Sequence, residues 1–235
     1  MYMYCHGNPI MYSDPDGHGR KEADQEASHT VRRHGDSNGL KNDGESIDQL
    51  RKKAEARIAK YNDGGIIQNS NNCGSYSLDM TVDPRNGNNF STNDDLDLKN
   101  FGYQPGMFSG EYYNPKPGKA NFERNRKDIV RLCKADANAL RNGSQKLNSV
   151  FRESDMDSTV EKGNHKVALY IDPSTGFFHW LRQDEDGMWS QKMSGQAANN
   201  IIDGKRVSDP QKVESNYKFA GIFEVGGFKN KEYDK

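Results

Sequence analysis

Apolar residues fall in short periodic runs separated by long polar stretches, and the period changes along the chain. Ile47, Leu50, Ala54, Ile58 and Tyr61 recur at helical spacing, which predicts a helix over 46–61. Ser46 with Gln49 fits a capping box, and Asn62-Asp63-Gly64 stops the run. Arg51, Lys52, Lys53 and Arg57 then form its solvated face. A second helix is predicted over 125–142, where Ile129, Leu132, Cys133, Ala137 and Leu140 line one side and Gly143 ends it. From residue 165 the period falls to two. Strands are predicted at 165–171, 177–183 and 188–193, joined by turns at Asp172–Gly176 and Asp184–Gly187. A last strand covers 217–225. The 177–183 segment is apolar on both faces, as a strand covered from both sides must be. The fold class expected is α+β, with N-terminal helices packed on an antiparallel sheet.

The intervening stretches divide the chain. Residues 20–44 are charged and nearly without large apolar side chains, the composition of a flexible linker. They separate a short strand-and-turn fragment at 1–19 from a folded domain at 45–228, and 229–235 reads as a charged, frayed tail. Residues 82–121 carry Asn, Gly and Pro with scattered Tyr and Phe. A loop of that length either lines a substrate groove or packs as an irregular wrap.

Composition narrows the function classes. The 33 basic and 34 acidic residues leave a net charge of -1, without the basic excess of a nucleic-acid binder. Cys5, Cys73 and Cys133 show no CxxC spacing, and His18, His29 and His34 are irregularly placed, so neither a metal nor another cofactor is expected. No apolar run reaches the ~20 residues of a membrane span. No secretory signal opens the chain, so secretion or delivery into a target cell would need a specialised system.

The chemistry-bearing stretch is Asn72-Cys73-Gly74-Ser75-Tyr76-Ser77-Leu78. A cysteine that follows a polar loop and opens an apolar-periodic run sits at a helix N-terminus, where backbone N–H groups favour the thiolate. A thiolate nucleophile needs an acid–base partner, and His179, about a hundred residues on, is the best placed. His179 and Gln191 share a strand face at a diagonal, so Gln191 is expected to orient the imidazole; Asp184 and Asp186 are charged alternatives, though their turn position suits simple solvation. Gln68 and Asn72 are rival donors to the oxyanion, and His165 is the alternative base. Together these residues would perform thiol-dependent amide hydrolysis, as a cysteine peptidase or a Gln/Asn deamidase.

Two resemblances extend this reading. Tyr4, Gly7-Asn8-Pro9-Ile10, Tyr12 and Asp14-Pro15-Asp16-Gly17 resemble the end of the core domain of Rhs-repeat proteins. That resemblance implies that the following residues are the payload of a polymorphic toxin used in interbacterial competition. Its partners would be the Rhs core shell, a target-cell protein substrate and a cognate immunity protein, with no nucleic acid. Asn72-Cys73, Tyr76, Leu78, Pro105-Gly106, Ser109-Gly110, Val167–Tyr170, Phe178–Ser190 and Asp209-Pro210 resemble a bacterial family found at the ends of Rhs-like and insecticidal-toxin-like proteins. Its Cys–His layout implies a papain-like cysteine peptidase-type fold, with a His often standing where this chain has Gln191. His165 and His179, fourteen residues apart, are also similar to the histidines of papain-like cell-wall endopeptidases, which would make peptidoglycan the substrate. The non-enzymatic alternative is a binding module of an Rhs protein that uses Phe108, Tyr112 and Tyr113.

Overall fold

The computed structural model describes residues 44–91, 101–202, 204–213 and 215–233. The Rhs-like fragment at 1–19 and the linker at 20–43 lie outside the described residues. In chain order the elements are α1 (Ile47–Lys60), α2 (Ile66–Ser70), α3 (Cys73–Ser77), α4 (Phe122–Asn142), β1 (Val150–Ser154), β2 (His165–Ile171), β3 (Phe178–Gln183), β4 (Trp189–Lys192), β5 (Ala198–Asn199) and β6 (Lys218–Gly226). The class is α+β. The six strands form one sheet in the order β1-β6-β2-β3-β4-β5, with every pairing antiparallel.

α1 begins and ends where its sequence directs, and α4 ends at its expected bound but begins three residues earlier, at Phe122. Ser46 caps α1 by accepting from the Gln49 N–H, and the Gln49 side chain accepts from Ser46 N–H at 2.7 Å. These paired bonds satisfy donors that a helix start leaves open. α4 buries Ile129, Leu132, Cys133, Ala137 and Leu140, one apolar stripe, against the sheet.

The sheet is covered on both faces, and strand alternation sorts its side chains. On the front face Val167, Leu169 and Ile171 of β2, Phe178 and Trp180 of β3, and Phe223 and Val225 of β6 form one core with α4. On the back face Ala168, Tyr170, Leu181 and Trp189 pack with Ile202, Val207 and Tyr217 from the β5–β6 connection. α3 lies on the front face over β3 and β4. β2 and β6 change register at Leu169/Tyr170, where Gly221 takes φ 141°. The Ala220 carbonyl at this bulge accepts from Arg126 of α4 at 2.6 Å. The exposed edge of β5 is closed by one side chain: Asn62 donates to Ala198 O at 2.8 Å and accepts from Ala198 N–H at 2.6 Å.

Several expectations are corrected. α2, β1 and β5 add to the elements that the sequence pattern predicts. The start of the tail does not fray: Asn230 is buried and donates to Pro84 O (3.3 Å) and Gln145 Oε1 (3.1 Å), while Lys229 lies 3.3 Å from Asp79. Residues 101–113 are a packed wrap and not a groove wall, with Phe101, Tyr103, Met107 and Tyr113 all buried.

That wrap is held by one carboxylate. Asp136 on α4 is fully buried and accepts from Tyr103 Oη (2.8 Å) and from the backbone N–H groups of Gly106 (2.6 Å), Phe108 (2.9 Å) and Ser109 (2.7 Å). Gly106 is obligatory here, because a Cβ would stand 1.3 Å from Glu111 O. Asp136→Ala strands four donors at once, and the expected loss is about 3 kcal/mol, read from urea unfolding. A loss below about 1 kcal/mol would show that the wrap holds without its anion.

Candidate functional site

Cys73 is the first residue of α3, and its position is fixed by a complete cap. Asn72 Oδ1 accepts from Ser75 N–H at 3.0 Å, and Ser75 Oγ accepts from Asn72 N–H at 2.9 Å. The Asn72 amide donates to Phe101 O and Tyr103 O, both at 2.9 Å. Gly102 permits this approach, since a Cβ there would lie 2.4 Å from Asn72 Cγ. Asn72 therefore spends its side chain on the cap and the wrap and is not a donor for an oxyanion. The Cys73 thiol is fully buried in the front core, and neither it nor Cys133 is in a disulfide.

Beside it on the front face is Lys192. Its ammonium donates to the carbonyls of Gln68 (2.8 Å), Ser194 (2.9 Å) and Gln196 (2.6 Å). Burial pushes this lysine down to about 8. Gln68 enters the site through its backbone: its carbonyl serves Lys192 and its N–H donates to Asp63.

His179 does not join Cys73. It follows Phe178 and precedes Trp180, both in the front core with Cys73, so alternation directs its ring to the back face. Its strand neighbours agree, because His179 pairs with Tyr170 and Leu181 pairs with Gln191, and Tyr170 and Leu181 belong to the back core. Gln191 does meet His179, with Oε1 3.1 Å from Nε2. The imidazole N–H at Nε2 donates there, and the buried Nδ1 has no hydrogen-bond partner among the described residues. The hydrogen bonds of His179 thus go to Gln191 and not to the thiol. His165 is on the front face but at the other end of α3. Its Nε2 is 2.7 Å from Ser77 O, four residues after Cys73 and about 6 Å along the helix axis.

The structure assembles a different constellation, in a cleft of about 700 Å³ between α1, the end of α3, β2, β3 and the 226–231 segment. Arg182 continues the front-face row of Phe178 and Trp180 but carries charge, and its Nη1 is 2.9 Å from His165 Nε2. One nitrogen cannot donate to Ser77 O and accept from a guanidinium together. The shorter contact assigns the Nε2 proton to Ser77, and burial followed by the Arg182 charge holds His165 well below its usual value, hence neutral. Asp79, at φ 60°, lies 3.6 Å from Arg57, 3.9 Å from Arg182 and 3.3 Å from Lys229. Arg57 also forms a two-pronged pair with Glu185. It is not part of a solvated face: its side chain is 16% exposed.

Asp184 is the group these contacts surround. Its side chain is 0% exposed, with Oδ1 3.7 Å from Arg57, 3.9 Å from Arg182 Nε and accepting from Ser190 Oγ at 3.0 Å. Ser190 in turn is bonded to Tyr76 Oη at 2.6 Å. Asp184 Oδ2 and Arg182 Nε are buried without hydrogen-bond partners among the described residues. The two aspartates diverge. Burial raises both, but at Asp79 the Arg182, Arg57 and Lys229 charges win and hold it below the carboxylate range. At Asp184 burial wins, and the acid is pushed up to about 7. Its turn position suggested simple solvation, and only its register beside Arg182 and beneath α1 reveals otherwise. Among the described residues no group of three or more His, Cys, Asp and Glu is placed to hold a metal, and no helix is long and apolar enough to cross a membrane.

The raised acid makes a signed prediction. Between about pH 4 and 7 the folded chain holds a proton on Asp184 that the unfolded chain has lost, so this group's contribution to stability falls as pH rises through that window. Asp184→Asn removes the penalty. It should stabilise the domain at pH 8 relative to pH 5 by on the order of 2 kcal/mol, measured by denaturant unfolding at both pH values. An equal effect at the two pH values would contradict a near-neutral Asp184. In comparisons of this chain with known proteins, no family model, no curated protein and no solved structure matches it.

Proposed function

We propose that this chain is the effector domain of an Rhs-type toxin and that it works by general acid–base catalysis in the Arg57–Asp184 cleft. The Rhs assignment is carried by the N-terminal resemblance. The observation that supports the chemistry is Asp184, a buried carboxyl near neutrality with one unpartnered oxygen, in the wall of a cleft large enough for a small substrate. An acid that titrates near pH 7 both takes and returns a proton under working conditions. In a hydrolytic cycle the Asp184 carboxylate takes a proton from water as the water oxygen bonds to the electrophilic centre. The same proton then goes to the leaving group as its bond breaks. Arg182, buried and carrying an unpaired N–H, supplies the donor for the charge that develops between these steps.

A second reading is thiol-dependent amide hydrolysis in a papain-like domain, as a peptidase or a deamidase. It is favoured by Cys73 at the first position of a fully capped helix beside a lysine. It ranks second because no hydrogen bond among the described residues joins its base, His179, to the thiol, and because His165, the base of the peptidoglycan version, is engaged with Ser77.

One experiment separates them. The full chain is expressed in bacterial and in eukaryotic cells as wild type, Asp184→Asn, Cys73→Ala and His179→Ala, with protein levels matched and folding checked. The expected result is a gain in survival of at least ~100-fold for Asp184→Asn, the loss typical of removing an acid–base group, with toxicity kept in the other two. Full toxicity of folded Asp184→Asn overturns the acid–base reading. Loss of toxicity in both Cys73→Ala and His179→Ala would install the thiol mechanism instead. A harmless wild type in every host would remove the effector reading.

A further inference from the structure

Resting on the acid–base reading above, we propose that Ser190, backed by Tyr76, is the positioning residue of Asp184: it commits Oδ1 as an acceptor and leaves Oδ2 as the oxygen that takes and returns the proton. Three contacts converge on Oδ1. The Ser190 hydroxyl donates to it at 3.0 Å, and Arg57 and Arg182 stand 3.7 and 3.9 Å away. Oδ2 has no hydrogen-bond partner among the described residues. A proton is disfavoured on an oxygen that faces two guanidinium charges and already accepts a hydrogen bond, so it resides on Oδ2.

The direction of the chain behind Asp184 follows from counting protons. A serine hydroxyl has one to give. Given to Asp184, it leaves Ser190 Oγ as an acceptor, and the Tyr76 hydroxyl 2.6 Å away is the donor. Hydrogen bonds in such a chain polarise one another, so Tyr76 strengthens the bond that Ser190 makes. Both side chains are fully buried, and neither hydroxyl turns to solvent. Tyr76 is itself held from α1: its ring stands edge-on to Tyr61, with centroids 4.9 Å apart. Tyr61 caps α1 four residues after Arg57, one turn along the helix. One contact between α1 and α3 therefore places both the tyrosine behind Ser190 and the arginine in front of Asp184.

A pair of hydroxyls that merely fastened β4 to α3 would choose neither oxygen. The two roles differ in the sign of a titration. A donor to Oδ1 favours the carboxylate, so its removal moves the Asp184 midpoint up from about 7. If the acid instead gave a proton from Oδ1 to Ser190, removal would move the midpoint down.

The test is a carbon-13 NMR titration of the Asp184 carboxyl carbon in the full chain, its resonance assigned by its absence from Asp184→Asn. Ser190→Ala is expected to raise the midpoint by about one pH unit, and Tyr76→Phe to raise it by less. Ser190→Ala/Tyr76→Phe, which strands no hydroxyl, should match Ser190→Ala and serves if the single variant fails to fold. Ser190→Thr keeps the hydroxyl and should return the wild-type midpoint. The charged and titratable groups around the site are Arg57 of α1, Asp79 after α3, His165 of β2, Arg182 of β3, Glu185 of the turn and Lys229. They are the same in every variant, so the shift reports the hydroxyls. An unchanged or lowered midpoint without the Ser190 hydroxyl overturns the proposal. If the midpoint rises while Asp184→Asn keeps full toxicity, the acid–base reading falls and the assignment of the proton to Oδ2 stands. If Asp184→Asn abolishes toxicity while the midpoint is unmoved, the reading stands and the positioning role falls.

Discussion

Everything in this domain depends on β3 being buried on both faces. Each of its six residues is covered, and so is each residue of β2 and β4. A strand in that position has no solvent side on which to place a polar group, and side-chain alternation forces each residue to one core or the other. Phe178 and Trp180 fill the front, and Leu181 fills the back. Arg182 then falls on the front with no freedom to turn away. A lone guanidinium there would be costly, and the surroundings answer it with two carboxylates: Asp79 just after α3 and Asp184 from the following turn. Arg57 of α1 and Glu185 extend the network to the surface. The charged cleft is the consequence of carrying one arginine in an otherwise apolar row.

The same logic explains how a domain with long irregular stretches remains well packed. The 101–113 wrap has no strand or long helix to pair its backbone, so its donors and carbonyls find side chains instead. Asp136 collects the donors and Asn72 the carbonyls. Both anchors sit on helices, so each ties a flexible composition to a rigid element. Glycines appear where the approach is closest, at Gly102 against Asn72 and Gly106 against Glu111.

How much of this was legible in the sequence follows from which signals are local. The α1 cap, the apolar stripe of α4 and the period of two from His165 onward are short-range patterns, and all three are present within one or a few residues of their expected bounds. The diagonal meeting of His179 with Gln191 was also local, because a short turn sets the register of a hairpin. What could not be read was which face α3 would cover. A strand tells which of its residues stand together but not which side a distant helix chooses, and that choice decides what α3 sets against the sheet: Tyr76 against Ser190 and Ser77 against His165. Arg57 and Asp184 were missed for a related reason. Charges on a helix and in a turn are usually solvated, and only the assembled sheet puts them against each other. Val150–Ser154 became a strand through its pairing with β6, since its own alternation is weak.

The side chain of Asn62 has a further meaning at the far edge of the sheet. Its amide exchanges two hydrogen bonds with the backbone of Ala198, as the peptide group of a seventh strand would. An open β edge is a template on which another chain can add itself. Here β5 is only two residues long, and its outward N–H and carbonyl are already occupied from within the same molecule. A single asparagine thus ends the growth of the sheet on that side, and a high local concentration of this domain finds no ladder there to extend.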